Sequence, residues 1–112
     1  DAPRVLVAED NAVNQRVAVR MLEKLGFAVD VAPDGQAAVD MVGTSSYVAV
    51  LMDCHMPGMD GFEATRVIRE KVPDGARPPI LALTAAGAGH DRERCLAVGM
   101  DDFLKKPVQM PD

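Results

Sequence analysis

Short apolar segments alternate along the chain with longer stretches that repeat apolar residues at helical spacing. The apolar segments are residues 4–8, 27–31, 47–53, 79–84 and 102–105. Gly, Pro, Asn and Asp cluster between them, which is typical of short strands separated by turns. Because strands that alternate with helices form repeated βα units, we predict an α/β fold with one doubly wound sheet of five parallel strands.

The stretch after the first strand has the clearest helical pattern. Asn11 is a typical N-cap and Gly26 a typical stop, so the first helix is predicted to lie between them. Apolar residues recur there at four-residue spacing, namely Val13, Val17, Met21 and Leu25, and the stripe is widened by Ala18 and Leu22. This pattern predicts an amphipathic helix.

Three further helices are predicted from turn and breaker residues. The second lies between Asp34 and Gly43, the third between Gly61 and Pro73, and the fourth within Asp91–Val98, with Gly99 past its end. Residues 85–89 have poor helix propensity and little apolar surface, so we expect this segment to be weakly anchored.

Composition narrows the class of protein. The 112 residues, 48% of them hydrophobic, predict one globular domain. A net charge of -5 argues against direct nucleic-acid binding, and no apolar run approaches the roughly 20 residues of a membrane span.

Cys54 and Cys95 lack metal-ligand spacing and are predicted to be reduced thiols. The first residue is Asp rather than Met, so we expect the chain to be cut from a longer protein.

Residues with chemical potential follow the predicted strands. They are Glu9 and Asp10 after the first strand, Asp53 at the end of the third, Thr84 at the end of the fourth and Lys106 after the fifth. The carboxyl ends of parallel strands open on one edge of a sheet, where open α/β sheets bind ligands. We therefore predict that these groups meet there. Each residue taken alone has a purely structural explanation. An acid beside the start of a helix interacts favourably with the helix dipole, and Thr is common in strands.

Together these residues indicate phosphoryl transfer. Mg²⁺ prefers oxygen ligands, which Glu9, Asp10 and Asp53 can supply. With negative charge absorbed by the metal, the Asp53 carboxylate can attack phosphorus and form an acyl phosphate. Thr84 and Lys106 can then stabilise charge on the equatorial oxygens. A carboxylate is already ionised, so no catalytic His is required.

Four blocks of sequence carry a family resemblance: residues 8–15, 52–65, 82–85 and 99–107. Together they resemble a response-regulator receiver domain, and they are most similar to receivers of hybrid sensor histidine kinases. The resemblance implies the flavodoxin-like strand order 2-1-3-4-5. It also implies a single receiver domain over residues 1–112, truncated before the family's fifth helix. A bare sheet face would leave such a chain marginally stable or self-associating.

The resemblance implies a role for each candidate residue. The implied roles are phosphoacceptor for Asp53, Mg²⁺ ligands for Glu9, Asp10, Asp53 and the backbone carbonyl of His55, a switch pair for Thr84 and Phe103, and the family's phosphate-binding lysine for Lys106. The peptide between Lys106 and Pro107 would be cis.

The same resemblance implies a signalling function. The chain would accept a phosphoryl group from a phosphohistidine on a histidine kinase, in cis or in trans, or on a histidine phosphotransfer protein. It would be a signalling module rather than an enzyme, although it would catalyse its own phosphoryl transfer and dephosphorylation. Its parent would be a hybrid histidine kinase, and its location cytoplasmic, including the cytoplasmic part of a membrane-bound sensor.

Two other classes of protein compete with this interpretation. An aspartate-nucleophile phosphatase would place a second Asp two residues beyond the nucleophile, where this chain has His55. A flavodoxin-like flavin carrier would place backbone amides and hydroxyls after the first strand. Glu9 and Asp10 occupy that position and would repel a flavin phosphate.

Overall fold

One five-stranded parallel sheet organises the protein. The computed structural model describes residues 2–72, 78–84, 93–94 and 96–105, with Thr84 and residues 103–105 described by their backbone. The strands are Arg4–Ala8 (β1), Ala28–Ala32 (β2), Ala49–Asp53 (β3), Ile80–Thr84 (β4) and Asp102–Lys105 (β5). Their order is β2-β1-β3-β4-β5 and every neighbouring pair is parallel, which confirms the predicted fold class and strand order.

Helices cover both faces of the sheet. Three of them are Ala12–Lys24 (α1), Gly35–Thr44 (α2) and Gly61–Lys71 (α3). One set of buried strand residues packs with α2 and α3, and it includes Leu6, Val50, Met52, Ile80 and Ala82. The alternate set packs with α1, and it includes Val5, Val7, Leu51 and Leu83. Successive strand residues point to opposite faces, so this alternation makes the sheet doubly wound, as predicted.

Side-chain caps begin α1, α2 and α3. The Asn11 carboxamide oxygen accepts from the backbone N–H groups of Val13 and Asn14, which confirms the predicted cap. Asp34 and Asp60 cap α2 and α3 in the same way. Each cap satisfies helix-end donors that have no partner inside the helix.

Two predicted boundaries need correction. The second strand runs over Ala28–Ala32 rather than 27–31, because its pairing with β1 begins at Arg4 opposite Ala28. The second helix does not break at Gly43 but continues to Thr44. One glycine costs a helix only about 1 kcal/mol. The buried Val42 anchors this last turn and offsets that cost.

Only part of the stripe at four-residue spacing packs on the sheet, since Met21 contacts the buried cluster but Val13, Val17 and Leu25 are exposed. Ala18 and Leu22 are buried, whereas Val13 is 67% exposed and Val17 41%. A helix turns 100° per residue, so a four-residue series drifts by about 40° at each step. Val13 therefore lies on the side of α1 opposite Leu22.

Arg69 joins the end of α3 to the neighbouring loops. Its guanidinium donates to the carbonyl of Gly99 at 2.6 and 2.8 Å and to the Asp101 carboxylate at 2.9 Å. Asp101 also accepts from the backbone N–H of Ile80, at the start of β4. Gly99 has a φ of +101°, and it follows helical residues 93–94 and 96–97, which confirms the fourth helix at those residues.

The amino end of the sheet holds a hydrogen-bonded tyrosine. The Tyr47 hydroxyl donates to Asp30 at 2.9 Å, and Arg4 donates to the other oxygen of the same carboxylate at 2.8 Å. Burial, and then the bond to Asp30, raise the pKa of Tyr47 above its ordinary value of 10.0. The folded state therefore favours the protonated phenol.

We expect Tyr47 to make stability fall at alkaline pH. Its contribution should be full below pH 10.0 and be lost as the pH rises through its raised pKa, because the folded state then binds more protons than the unfolded one. Denaturant unfolding across this pH range should show that the free energy of unfolding falls more steeply with pH for the native protein than for Tyr47→Phe. The chain has one Tyr, so phenolate absorbance reports this residue alone. The prediction would be contradicted if the Tyr47 phenol titrated at its ordinary pKa and the free energies of unfolding of the native protein and Tyr47→Phe changed with pH in parallel.

Candidate functional site

The carboxyl ends of the central strands form one polar edge. Glu9 and Asp10 follow the last residue of β1, and Asp53 is the last residue of β3. In the register Ala8 pairs with Met52, and Asp53 pairs with Leu83, so the three strands end at nearly the same level. This alignment brings the backbone positions of the three acids to one edge of the sheet.

Three carboxylates converge at that edge. One oxygen each from Glu9, Asp10 and Asp53 lies within 4.8 Å of the others. Glu9 is 1% exposed and Asp53 2%, whereas Asp10 is exposed to solvent. Like charges this close repel strongly where water is excluded. The arrangement therefore favours a cation, and its hard oxygen atoms are the ligands that Mg²⁺ prefers.

Backbone and side-chain contacts hold Glu9 in place. Its N–H donates to the carbonyl of Ala32 at 3.0 Å, which extends the pairing between β1 and β2. Its carboxylate accepts from the backbone N–H of Asn11 at 3.2 Å, and its carbonyl accepts from the Gln15 side chain at 2.7 Å. Gln15 has no distinguishing signal in the sequence, because a polar residue on an amphipathic helix looks like part of its solvated face.

Local backbone geometry positions Asp53. Its Oδ1 accepts from the backbone N–H of His55 at 3.1 Å, which restricts rotation of the carboxylate. The start of α3 lies against the same residue, since a Cβ on Gly61 would overlap the backbone oxygen of Asp53. Gly61 is therefore required here by close approach rather than by an unusual φ. In the sequence, the Asp60-Gly61 pair at the start of the third helical pattern is the local signal for this approach.

The His55 side chain lies beside the site rather than in the carboxylate cluster. Its ring packs edge to face against Phe62, with centroids 6.0 Å apart. The guanidinium carbon of Arg94 lies 3.9 Å from the centroid of the Phe62 ring. This cation–π contact links the fourth helix to α3, and no local sequence pattern predicts it.

The remaining predicted site residues are only partly described. Thr84 ends β4 opposite Lys105, and Phe103 pairs with Ala82 on the same two strands. The structure thus brings the Thr84 backbone to the edge that carries Asp53, whereas Phe103 lies two positions before that level on the neighbouring strand. Lys106, its peptide with Pro107, Cys95 and residues 85–89 lie outside the described residues. Cys54 is a buried cysteine.

The parallel strand order 2-1-3-4-5 defines a flavodoxin-like α/β protein. The acidic cluster at the carboxyl edge of its sheet is a site suited to a cation. The sequence profile of the response regulator receiver domain matches residues 5–112. The chain therefore belongs to the response regulator receiver family. This assignment favours the receiver over the phosphatase and the flavin carrier.

Similar proteins agree with that assignment. The hybrid signal transduction protein dokA of Dictyostelium discoideum is 45% identical over 106 residues, which are 95% of this chain and 6% of that protein. The receiver domain of sensor histidine kinase PA1611 from Pseudomonas aeruginosa, solved with a magnesium ion in its active-site cleft, is 46% identical. It has a TM-score of 0.87, and the alignment covers 97% of this chain and 88% of that one.

A third neighbour was solved with a partner. The receiver domain of Ssk1 from Saccharomyces cerevisiae, in complex with the histidine phosphotransfer protein Ypd1, is 32% identical with a TM-score of 0.86, covering 96% of this chain and 81% of that one. The present chain spans only a small part of its full-length relatives, 6% for dokA. Within the described residues, every helix is too short or too polar to cross a bilayer.

Proposed function

We propose that this chain accepts a phosphoryl group from a phosphohistidine onto Asp53. The observation that carries the proposal is the convergence of three carboxylate oxygens within 4.8 Å at the carboxyl edge of the sheet. Asp53 ends a central strand and is 2% exposed, so its charge is poorly hydrated and held in one place. A desolvated, oriented carboxylate is a suitable nucleophile for covalent catalysis.

Mg²⁺ fits this site. Glu9, Asp10 and Asp53 would hold it, with the backbone carbonyl of His55 as a further ligand. When bound, the metal supplies positive charge that offsets the carboxylates and the incoming phosphoryl oxygens. The magnesium ion in the related receiver of PA1611 supports this cofactor assignment.

The transfer itself needs no general base. An Asp53 carboxylate oxygen forms a bond to phosphorus while the bond from phosphorus to the donor imidazole nitrogen breaks, and the leaving nitrogen retains the electron pair. Thr84 and Lys106 would donate to the phosphoryl oxygens and stabilise the charge there. Water would later attack the acyl phosphate at phosphorus, which restores the Asp53 carboxylate and releases phosphate.

Phosphorylation would switch the conformation through Thr84 and Phe103. The Thr84 hydroxyl would move toward the phosphoryl group and vacate space for Phe103. Their strands are neighbours, and the two residues sit two positions apart in the register. Such a local change can be passed to the adjoining surface as a two-state rearrangement.

The phosphodonor would be a histidine kinase, in cis or in trans, or a histidine phosphotransfer protein. The partnership of the Ssk1 receiver with Ypd1 and the hybrid architecture of dokA support this choice. The parent protein would be a hybrid histidine kinase that places this domain in the cytoplasm. Direct nucleic-acid binding is not expected of a chain with a net charge of -5.

The proposal can be tested with a histidine phosphotransfer protein that carries phosphate on its histidine. Mixed with this chain and Mg²⁺, it should lose its acid-labile label, and the chain should gain a hydroxylamine-labile acyl phosphate. A parallel reaction with excess EDTA is the control and should transfer little. Absence of an acyl phosphate, with both this donor and a small-molecule phosphodonor, would overturn the proposal.

A further inference from the structure

Gln15 reaches back from α1 to the turn that carries the acid pair. It lies in the second turn of the helix, and its Nε2 donates to the backbone carbonyl of Glu9 at 2.7 Å. The bond spans six residues and is partly buried. It therefore ties the body of α1 to the residue that follows β1.

Helix capping does not account for this contact. Asn11 already caps α1 by accepting from two backbone N–H groups at 2.9 and 3.1 Å. A capping box would have the third helical residue, here Asn14, reach the N–H of the cap. Gln15 is the fourth helical residue and bonds instead to a carbonyl two residues before the cap.

The contact controls the direction in which the chain leaves Glu9. The Glu9 carbonyl belongs to the planar peptide that joins Glu9 to Asp10, so fixing its oxygen fixes the rotation of that plane. Glu9 is also held by burial and by Ala32 and Asn11. Asp10 is exposed, and it therefore depends more on the orientation of this peptide.

We propose that Gln15 is a positioning residue that holds the Glu9–Asp10 peptide so that the Asp10 carboxylate stays within cation-sharing distance of Asp53. The inference rests on the proposed function in so far as the cation is Mg²⁺. Gln15 does not touch the metal itself. Groups that orient metal ligands commonly change metal affinity by about 10-fold or more when they are lost.

The test is a Mg²⁺ titration of metal-free protein by calorimetry, with the Asp10 backbone amide followed by NMR. Gln15→Met keeps the length and helix propensity of the side chain but removes the donor. We expect its Mg²⁺ dissociation constant to rise about 10-fold. The Asp10 amide resonance should shift before metal is added, since the neighbouring carbonyl loses its hydrogen bond.

A matched control and a second variant keep the test decisive. Gln36 also lies on a helix but bonds within it to Asp40, so Gln36→Met should leave Mg²⁺ affinity unchanged. Gln15→Asn retains an amide that is one methylene too short, and it should weaken Mg²⁺ binding as well. It provides the measurement if Gln15→Met does not fold.

The outcomes separate this inference from the proposed function. If the native chain binds Mg²⁺ and the folded Gln15 variants bind it equally well, the positioning role is overturned while the proposed function stands. If the native chain binds no Mg²⁺, both are overturned. Equal loss in the Gln15 and Gln36 variants would indicate a general effect of helix substitution and would also overturn the inference.

Discussion

Asp53→Asn is expected to abolish the acyl phosphate. A carboxamide has nearly the shape of the carboxylate but is not a nucleophile, so labelling should fall to the level of the untreated chain. The substitution also removes one of three mutually repelling charges, so the variant should remain folded. Intact mass spectrometry after incubation with Mg²⁺ and a small-molecule phosphodonor measures the modified fraction.

Asp40→Asn is the matched control for that experiment. Asp40 is an exposed carboxylate on α2 and lies outside the acidic cluster. Its substitution should leave labelling at the native level. If Asp53→Asn were labelled as fully as the native protein, the phosphoryl group would reside elsewhere and the assignment of Asp53 would be wrong.

Mg²⁺ should raise the melting temperature of the native protein. The folded state brings Asp53 to the adjacent acids Glu9 and Asp10, whereas the unfolded chain separates it from them, so the cation binds the folded state selectively. At about ten times its dissociation constant, a ligand of this kind contributes roughly 1.4 kcal/mol. For a domain of this size, that corresponds to a shift of roughly 6 °C in a thermal melt.

Asp10→Asn should raise the melting temperature of the metal-free protein and remove most of its response to Mg²⁺. Without the third charge, the metal-free protein should melt at a higher temperature than the native chain, because repulsion within the cluster is lower. Added Mg²⁺ should then have little effect, since one ligand is lost. KCl at matched ionic strength is the control for screening. A Mg²⁺ response as large as that of the native protein would argue against a shared site.

Much of the site could be predicted from where the strands end. Glu9, Asp10 and Asp53 each stand at the carboxyl end of a short apolar run, and their convergence is confirmed. Such runs are recognisable locally because a strand buried on both faces must be apolar at successive positions. A parallel sheet then brings the ends of these runs to one edge.

Contacts that cross from one element to another could not be predicted in this way. Gln15 has no special sequence signal, and its bond to Glu9 depends on how α1 leaves the sheet. The cation–π contact between Arg94 and Phe62 depends on the packing of the fourth helix against α3. Periodicity describes one element at a time and carries no such geometry.

The sequence by itself determined the fold class, the strand ends and the types of chemical group that follow them. These follow from local hydrophobic runs, caps and turns, whose physical causes act over a few residues. The tertiary structure decided that α1 buries Ala18 and Leu22 rather than Val13, and that β2 pairs from Ala28. It also decided that Gln15 holds Glu9. Packing and register depend on groups distant in the chain, so only the assembled sheet could settle them.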